Sequence, residues 1–282
     1  MTIKEAIDKA TIKLKVKNID SPKQKARLLM QAILNQTRQY LMVYDEKNLE
    51  KAQEEKYFKA MDKLIKGIPL QHITHQQEFM KMNFYVNEKV LIPRPDTEVL
   101  VEEVIQIAKK INAKKILDLC TGSGAIAISL AKYIKESQIT AIDISEEALT
   151  IAERNAKSNS VDKQIAFLPS DLFEEIPKEK YDMIVSNPHY IKRKVIKTLD
   201  KEVQKEPYIA LDGGYDGLDF YRKIISQAYE FLKYRGYLCL EIGYDQKIDV
   251  IELIEKEEKY VDTYSKKDLC GNDRVIVTKV GD

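Results

Sequence analysis

The chain has 282 residues, of which 44% are apolar, and its 46 basic and 45 acidic side chains leave a net charge of +1. This length predicts one large domain or two ordinary ones, and the balanced charge argues against a global attraction to nucleic acid. No apolar run reaches the roughly 18 residues of a membrane span, and the first residues contain no apolar signal-peptide segment. Three widely spaced cysteines predict reduced thiols in a cytoplasmic protein, and no His or Cys cluster has metal-ligand spacing.

Residues 1–70 predict a small all-helical domain. Thr2 and Glu5 have the spacing of a capping box, and apolar residues recur at helical spacing behind them. Ser21 precedes a proline and predicts the N-cap of a second helix, and further helices follow before Pro69. This segment contains no catalytic constellation, so we expect a substrate-recognition or docking domain.

Residues 71–92 lack the helical spacing of the preceding segment and predict a β-hairpin that links two domains. Apolar stretches at 78–80, 83–86 and 90–92 are typical of short strands. A polar turn is predicted around Asn87.

From residue 93 to residue 282, strand and helix signals alternate, which predicts an α/β domain with a mainly parallel, Rossmann-like sheet. Short apolar runs predict seven strands, and the last two, near 259–265 and 273–279, are close enough to pair antiparallel. The predicted architecture is therefore a small helical domain, a linking hairpin and a seven-stranded α/β catalytic domain.

A glycine-rich loop joins the first strand of this domain to its helix. Gly122 and Gly124 allow a cofactor to approach the backbone, and the helix N-terminus offers free amides. Asp143 ends the next strand, where a carboxylate can bind ribose hydroxyls. The spacing of the two glycines and Ala127 also satisfies the weak dinucleotide fingerprint. Asp118 favours S-adenosylmethionine instead, because its carboxylate suits an ammonium group and would repel a pyrophosphate.

Asp171 and Leu172 follow the third strand. Asp171 can accept a hydrogen bond from an adenine amino group, and Leu172 can cover the adenine face. A helix N-cap beside a core leucine explains the pair equally well. The candidate cofactor-binding residues are Asp118, Cys120, Thr121, Gly122, Ser123, Gly124, Asp143, Asp171, Leu172 and Asn187.

The stretch Asn187-Pro188-His189-Tyr190 directly follows the fourth strand. The proline keeps Asn187 out of the α region, so the side-chain carbonyl of Asn187 and the main-chain carbonyl of Pro188 can converge on one planar NH₂ group. Tyr190 can form a wall beside it. A plain strand-end turn is what turn propensity alone favours. The position of the stretch, beyond a cofactor loop and Asp143, reverses that preference, and we interpret it as an amino-group clamp.

Further motifs extend along the chain at Val90–Glu98, Glu206-Pro207, Ala210–Leu218, Leu240–Gly243 and Asp268–Arg274. With them, essentially the whole chain resembles the PrmC (HemK) family, which methylates the glutamine of the Gly-Gly-Gln motif in peptide chain release factors. The resemblance implies the class I methyltransferase fold, S-adenosyl-L-methionine as cofactor with S-adenosyl-L-homocysteine as product, and a release factor as protein partner in the cytoplasm. It implies no membrane partner and no direct contact with nucleic acid. The implied catalytic residues are Asn187, Pro188 and Tyr190, and His189 joins them in binding the substrate.

The sequence departs from the family pattern at several positions. His189 stands where the family has a second proline, Cys120 where it often has glycine, and Leu172 where it often has an aromatic residue. We interpret His189 as a tolerated loop substitution, because a catalytic imidazole must also have the right reach. Leu172 stays apolar, and no departure removes an essential group.

An amide nitrogen is a poor nucleophile, so Asn187 and Pro188 are predicted to orient it as hydrogen-bond acceptors rather than to remove its proton. Three alternatives remain. A sister enzyme that modifies glutamine in a large-subunit ribosomal protein shares the same catalytic half. An enzyme that methylates the adenine amino group of DNA uses a similar clamp, but needs a target-recognition region and usually a basic groove. A non-catalytic adaptor with a decayed site is the third.

Overall fold

The computed structural model describes residues 1–281, which form two compact units. The helical unit comprises residues 1–76 together with 200–205, and the α/β unit comprises 77–199 and the chain from residue 206 onward. Within the described residues, no helix combines the length and the apolar character needed to cross a membrane.

The helical unit contains five helices among its described residues: α1 (Ile3–Val16), α2 (Pro22–Leu34), α3 (Arg38–Val43), α4 (Lys51–Ile65) and α5 (Leu70–Thr74). The predicted capping box is confirmed, because Glu5 N donates to Thr2 Oγ1 at 3.2 Å and Thr2 N donates to Glu5 Oε2 at 2.8 Å. Tyr57 is fully buried at the centre of this unit, and its hydroxyl donates to the carbonyl of Ala26 at 3.1 Å.

Ser21 is the N-cap residue of α2, as predicted, but its side chain does not cap the helix among the described residues. Its backbone is left-handed, with φ 46°, and its side chain makes no capping hydrogen bond. An N-cap side chain reaches the first free amides from an extended backbone, and the left-handed conformation of Ser21 turns it away from them. The segment 200–205 was not predicted to belong to this unit. Within the unit, Lys25 Nζ donates to both Asp20 and Glu202 at 2.7 Å.

The β-hairpin is shorter than predicted, and its turn lies elsewhere. Strands β1 (Gln77–Phe79) and β2 (Met82–Phe84) pair antiparallel around Met80 and Lys81, which both have positive φ, as tight hairpin turns require. Asn87 forms only a local turn, accepting from Lys89 N at 2.9 Å.

Residues 85–92 are not strands, and the amides at the two ends of this stretch bond to side chains from other elements. Tyr85 N donates to Asn155 Oδ1 at 2.7 Å, and Ile92 N donates to Glu206 Oε2 at 3.0 Å. These two amides are therefore not free to donate to a neighbouring strand.

The α/β unit is built on one mixed sheet. Its strands, counted over the described residues, are β3 (Lys115–Leu119), β4 (Gln138–Asp143), β5 (Ile165–Pro169), β6 (Tyr181–Ser186), β7 (Leu232–Glu241), β8 (Tyr260–Lys267) and β9 (Asp273–Val280). Their order is β5-β4-β3-β6-β7-β9-β8, with β3 to β7 parallel and β9 antiparallel to both neighbours. The predicted seven strands and the antiparallel final pair are confirmed.

Helices cover both faces of the sheet because side chains alternate along each strand. Ile116 packs with α6 (Thr97–Ile111) and α7 (Ala125–Tyr133), whereas Leu117 packs with α10 (Asp219–Phe231) and α11 (Lys247–Glu255). Helix α8 (Glu146–Ser158) follows β4, and the short α9 (Arg193–Ile196) lies in the long connection after β6.

The sheet order reverses between β3 and β6, which creates a crevice at the carboxyl ends of these two strands. Leu119 pairs with Ile142 on one side and with Ser186 on the other, and Ser186 pairs with Leu240. The residues that follow these positions therefore meet at one end of the sheet. They are Cys120, Asp143, Asn187 and Glu241.

Candidate active site

The loop after β3 is held in place by the Asp118 carboxyl, which is fully buried. Its Oδ2 accepts from Thr121 Oγ1 at 2.6 Å and from Ala127 N at 3.2 Å. Its Oδ1 has no hydrogen-bond partner within residues 1–281. Burial raises the pKa of Asp118 to about 7, against the lowering effect of the Thr121 hydrogen bond. A buried acceptor without a partner suits a cationic ligand group.

One glycine of this loop allows two helices to pack closely, and the other leaves open space beside the loop backbone. Gly124, with φ 79°, begins α7, and a Cβ there would lie 2.9 Å from Ile128 Cδ1 and 3.0 Å from Ala152 Cβ. Only glycine therefore lets the start of α7 approach α8 so closely. A Cβ on Gly122 would meet nothing within 4 Å, so the space beside it is open.

Asp143 organises the loop from the end of β4. Its Oδ2 accepts from Gly122 N at 2.8 Å, and its Oδ1 accepts from Ser145 N at 2.9 Å. Burial raises the pKa of Asp143, and the hydrogen bonds from these two amides oppose that shift. Each oxygen keeps a second lone pair, so the carboxylate can still accept from ligand hydroxyls.

Leu172 is 5% exposed and packs in the core with Leu119 and Ile142, and its backbone is left-handed, with φ 52°. Asp171 beside it is half-buried. The alternative of a helix N-cap at Asp171 is wrong, because within the described residues only turns and bends follow it before β6. The roles of both residues at an adenine ring stay predictions.

The clamp residues follow β6 directly. Ser186 Oγ donates to the carbonyl of Leu119 at 2.9 Å, which ties the end of β6 to the start of the cofactor loop. Asn187 Nδ2 donates to Thr97 Oγ1 at 3.3 Å. Within residues 1–281, neither Asn187 Oδ1 nor the Pro188 carbonyl accepts a hydrogen bond. Asn187 lines a narrow cavity together with Pro93, Arg94, Thr97 and residues 120–123.

The loop 211–217 supports the clamp from behind. A Cβ on Gly213 would lie 2.7 Å from Tyr190 Cα and 2.8 Å from the His189 carbonyl oxygen. The carbonyl of Tyr190 accepts from Gln246 Nε2 at 3.1 Å, and the same amide bonds Gly217 O at 3.1 Å. Tyr190 is half-buried against the core, and burial raises the pKa of its phenol.

His189 is half-buried and neutral. Its ring packs edge-on against Phe220, with 4.6 Å between the ring centroids, and its Nδ1 has no hydrogen-bond partner among residues 1–281. Burial lowers the pKa of His189 to about 4, and Asp212 only partly opposes this shift. The imidazole is therefore uncharged at neutral pH.

The sequence reasoning assigned no role to four buried or half-buried groups near the clamp. Arg94 Nη2 pairs with Glu206 Oε1 at 2.5 Å, and the buried Glu206 also binds the amide of Ile92, which holds the wall of the cavity. Thr97 bonds Asn187, and the buried Glu241 follows Leu240, which pairs with Ser186. Only the position of Glu241 at a strand end was a usable signal. Within residues 1–281, no group of three or more His, Cys, Asp or Glu side chains is arranged to hold a metal ion.

Comparison with known proteins identifies families and folds that this chain matches. Residues 95–206 match the Methyltransferase small domain family, and residues 5–74 match the PrmC N-terminal domain. A methyltransferase from Pyrococcus furiosus superposes with a TM-score of 0.54 at 19% identity, covering 72% of this chain and 91% of that one. The ribosomal protein L11 methylase of Lactobacillus delbrueckii superposes with a TM-score of 0.51 at 20% identity, covering 70% and 84%. The fold and the site define a class I S-adenosylmethionine-dependent methyltransferase.

Two curated relatives are similar over nearly their whole length. The release factor glutamine methyltransferase of Clostridium acetobutylicum is 38% identical over 284 residues, covering 100% of this chain and 99% of the relative. That of Clostridium botulinum is 39% identical over 279 residues, covering 98% of each. The chain belongs to the release factor glutamine methyltransferase family.

The raised pKa of Asp118 predicts a pH-dependent stability of the cofactor-free enzyme. Between about pH 4 and pH 7 the folded state holds a proton that the unfolded carboxyl, with its ordinary pKa of 3.8, has released. The free energy of unfolding should therefore fall as pH rises through this window, by up to about 1.4 kcal/mol per pH unit from this group. Urea unfolding at a series of pH values measures the slope. Asp118→Asn should reduce the slope, and identical slopes for the two proteins would contradict the assignment.

Gly213→Ala should displace the clamp, because the new Cβ meets the backbone of Tyr190. We expect the methyl-transfer rate to fall at least roughly tenfold, since small misplacements at a reacting centre are costly. Cofactor affinity, measured by calorimetry, should stay unchanged. Gly271→Ala is a stringent control, because a Cβ there meets nothing within 4 Å among the described residues, although its φ of 86° adds backbone strain of its own. Equal rates for the two variants would show that loop 211–217 does not support the clamp.

Proposed function

We propose that this enzyme methylates the side-chain amide nitrogen, N5, of the glutamine in the Gly-Gly-Gln motif of peptide chain release factors, using S-adenosyl-L-methionine and leaving S-adenosyl-L-homocysteine. The observation that carries the proposal is the state of Asn187. Its NH₂ is bonded to Thr97 and its side chain lines the cavity beside the cofactor loop, while neither its Oδ1 nor the carbonyl of the next residue, Pro188, accepts a hydrogen bond within residues 1–281. A planar carboxamide NH₂ offers two donors that match them.

The residues of the loop fit the cofactor. When bound, S-adenosyl-L-methionine supplies a methyl group on a positively charged sulfur. Asp118 Oδ1, buried and without a partner in residues 1–281, is the acceptor for the ammonium group. Asp143 keeps free lone pairs for the ribose hydroxyls, and the backbone of Cys120–Gly124 lies against the rest. We assign Asp171 and Leu172 to the adenine.

The substrate glutamine is held by acceptors. Asn187 Oδ1 and the Pro188 carbonyl accept from its NH₂, which raises electron density on the nitrogen and directs its lone pair toward the methyl group. Tyr190 packs against the amide plane. The nitrogen gains a methyl group and loses one proton to solvent. His189 serves by packing only, because its low pKa makes it a poor base at neutral pH.

A release factor is favoured over other substrates by two observations. Residues 5–74 match the PrmC N-terminal domain, and the full-length relatives carry the release factor name. The net charge of +1 offers no field that would draw DNA to the site. We place the reaction in the cytoplasm, with no direct nucleic-acid or membrane partner.

The direct test incubates the enzyme and labelled S-adenosyl-L-methionine separately with a release factor, ribosomal proteins and duplex DNA. Mass spectrometry should locate one added methyl group on the glutamine of the Gly-Gly-Gln motif. A release factor with Gly-Gly-Glu in its place is the control, because a carboxylate has no NH₂ to accept the methyl group. Label in the ribosomal proteins or the DNA, with none in the release factor, would overturn the proposal.

Asn187→Ala and Asp143→Ala should affect the substrate half and the cofactor half of the site separately. The first removes a substrate acceptor, so the turnover rate should fall at least roughly a hundredfold while calorimetry shows unchanged cofactor affinity. The second should weaken cofactor binding, because it removes both the proposed ribose acceptor and the carboxylate that holds Gly122. Normal turnover by Asn187→Ala would eliminate the clamp mechanism, and unchanged affinity in Asp143→Ala would remove Asp143 from the site.

His189→Pro restores the residue that the family pattern has at this position. We expect turnover to be preserved or raised, because a pKa of about 4 leaves His189 uncharged at neutral pH and its ring packs against Phe220. The pH dependence of the turnover rate should be the same for both proteins across neutral pH. A large loss of rate, or the loss of a titration near the ordinary pKa of histidine, would show that the imidazole takes part in the chemistry.

A further inference from the structure

Arg94 is the only charged residue, among those that the structure describes, that lines the cavity between the cofactor loop and Asn187. Its Nη2 donates to Glu206 Oε1 at 2.5 Å, and its guanidinium makes no other hydrogen bond within residues 1–281. The Arg94 side chain is 36% exposed, whereas that of Glu206 is 1% exposed. A guanidinium has five N–H donors, so the pair with Glu206 leaves most of them available to a ligand.

The guanidinium of Arg94 is held in place before any ligand binds. Arg94 stands between two prolines, which restrict the backbone on both sides of it. Its carbonyl accepts from Thr97 N at 3.1 Å, in the turn that begins α6. The second oxygen of Glu206 accepts from Ile92 N at 3.0 Å, so one buried carboxylate fixes both the guanidinium and the segment that leads to it. Such preorganisation lowers the entropy cost of binding.

The cofactor loop has groups of opposite charge on either side of it. Residues 120–123 line the cavity together with Arg94, and Thr121 Oγ1 of the same loop donates to Asp118 Oδ2 at 2.6 Å. The other oxygen of Asp118 has no partner within residues 1–281. The amino acid end of S-adenosyl-L-methionine carries an ammonium and a carboxylate on one carbon. Asp118 matches the ammonium, and Arg94 has the charge and the planar donor set that suit the carboxylate.

We propose that Arg94 binds the carboxylate at the amino acid end of S-adenosyl-L-methionine, and that this contact makes the site select cofactors that carry the group. Glu206 is the positioning residue that holds the guanidinium. The inference rests on the proposed placement of the cofactor at residues 118–124. It extends that site to the motif at residues 90–98, to which the proposed function gives no role.

A purely structural role for Arg94, as the counter-charge of Glu206, leads to a different expectation. Loss of a structural ion pair weakens the fold and affects the binding of every ligand alike. Loss of a carboxylate contact affects only those ligands that carry a carboxylate. The two roles are therefore separated by a pair of ligands that differ in this group alone.

The test is calorimetry with S-adenosyl-L-methionine and with its decarboxylated form, which keeps the ammonium, the sulfonium and the adenosine. The wild-type enzyme should bind S-adenosyl-L-methionine at least roughly tenfold more tightly, because charge-assisted hydrogen bonds are the strong ones. Arg94→Met should lose this preference, with weaker binding of S-adenosyl-L-methionine and no weaker binding of the decarboxylated form. Arg94→Lys keeps the charge without the fork of donors and should retain part of the preference.

A second variant guards against a folding defect. Arg94→Met leaves the buried Glu206 without its cation, which destabilises a fold, whereas Arg94→Met combined with Glu206→Gln removes both charges. The combined variant should also lack the preference, and thermal unfolding identifies the variants that fold. Arg222→Met is the matched control, because Arg222 is a partly exposed arginine of α10 that pairs with Asp216 and Asp219 and does not line the cavity. It should keep the full preference.

Two results would overturn the role of Arg94. One is equal affinity of the wild-type enzyme for the two ligands, and the other is a full preference in the folded variants that lack the guanidinium. Both leave the proposed function intact, since methylation of a release factor by the wild-type enzyme is measured separately. A wild-type enzyme that binds S-adenosyl-L-methionine with the expected preference but methylates no release factor would instead overturn the proposed function.

Discussion

The parallel pairing of β3 with β6 is the constraint on which the site depends. Leu119 and Ser186 lie side by side in this pair, and the Ser186 hydroxyl donates to the Leu119 carbonyl at 2.9 Å. Because both strands end at the same level, the loop after one and the clamp after the other face each other across the crevice where the strand order reverses. Asp143 and Glu241 reach the same end through the neighbouring strands, so one register brings the proposed cofactor loop, the proposed clamp and these two carboxyls together.

Two buried carboxyls distinguish this end of the sheet from the rest of the core. Asp118 and Glu241 each keep one oxygen without a partner in residues 1–281, and burial raises the pKa of each to about 7. An unsatisfied buried acceptor costs about 1–3 kcal/mol, so the two groups destabilise the cofactor-free fold. Groups of this kind concentrate at functional sites, where a bound ligand can supply the missing interaction.

Backbone conformation explains where the loops accept substitution. Cys120 has φ 59°, a left-handed conformation that suits the glycine common in the family and costs an ordinary side chain roughly 1–2 kcal/mol. Its presence shows that the loop tolerates this strain. Gly213 is the opposite case. A side chain at this position is excluded by contact with the backbone of Tyr190 and not by the φ of Gly213 itself. The packing that it permits holds the clamp, including His189, in place.

The sequence by itself determined the elements and the two motif-bearing loops. Strand periodicity predicted the seven-stranded sheet, and the residue types of Asp118–Gly124 and Asn187–Tyr190 indicated a cofactor loop and an amide clamp, because those patterns are local. Only the tertiary structure decided which distant residues surround these two loops. The bond from Asn187 to Thr97 spans 90 residues, and Glu241 reaches the same end of the sheet through strand register, which no local pattern encodes. The hairpin turn at Met80 was missed for a related reason. Its positive φ lacks the usual glycine or asparagine, and the amides of Tyr85 and Ile92 bond to distant side chains.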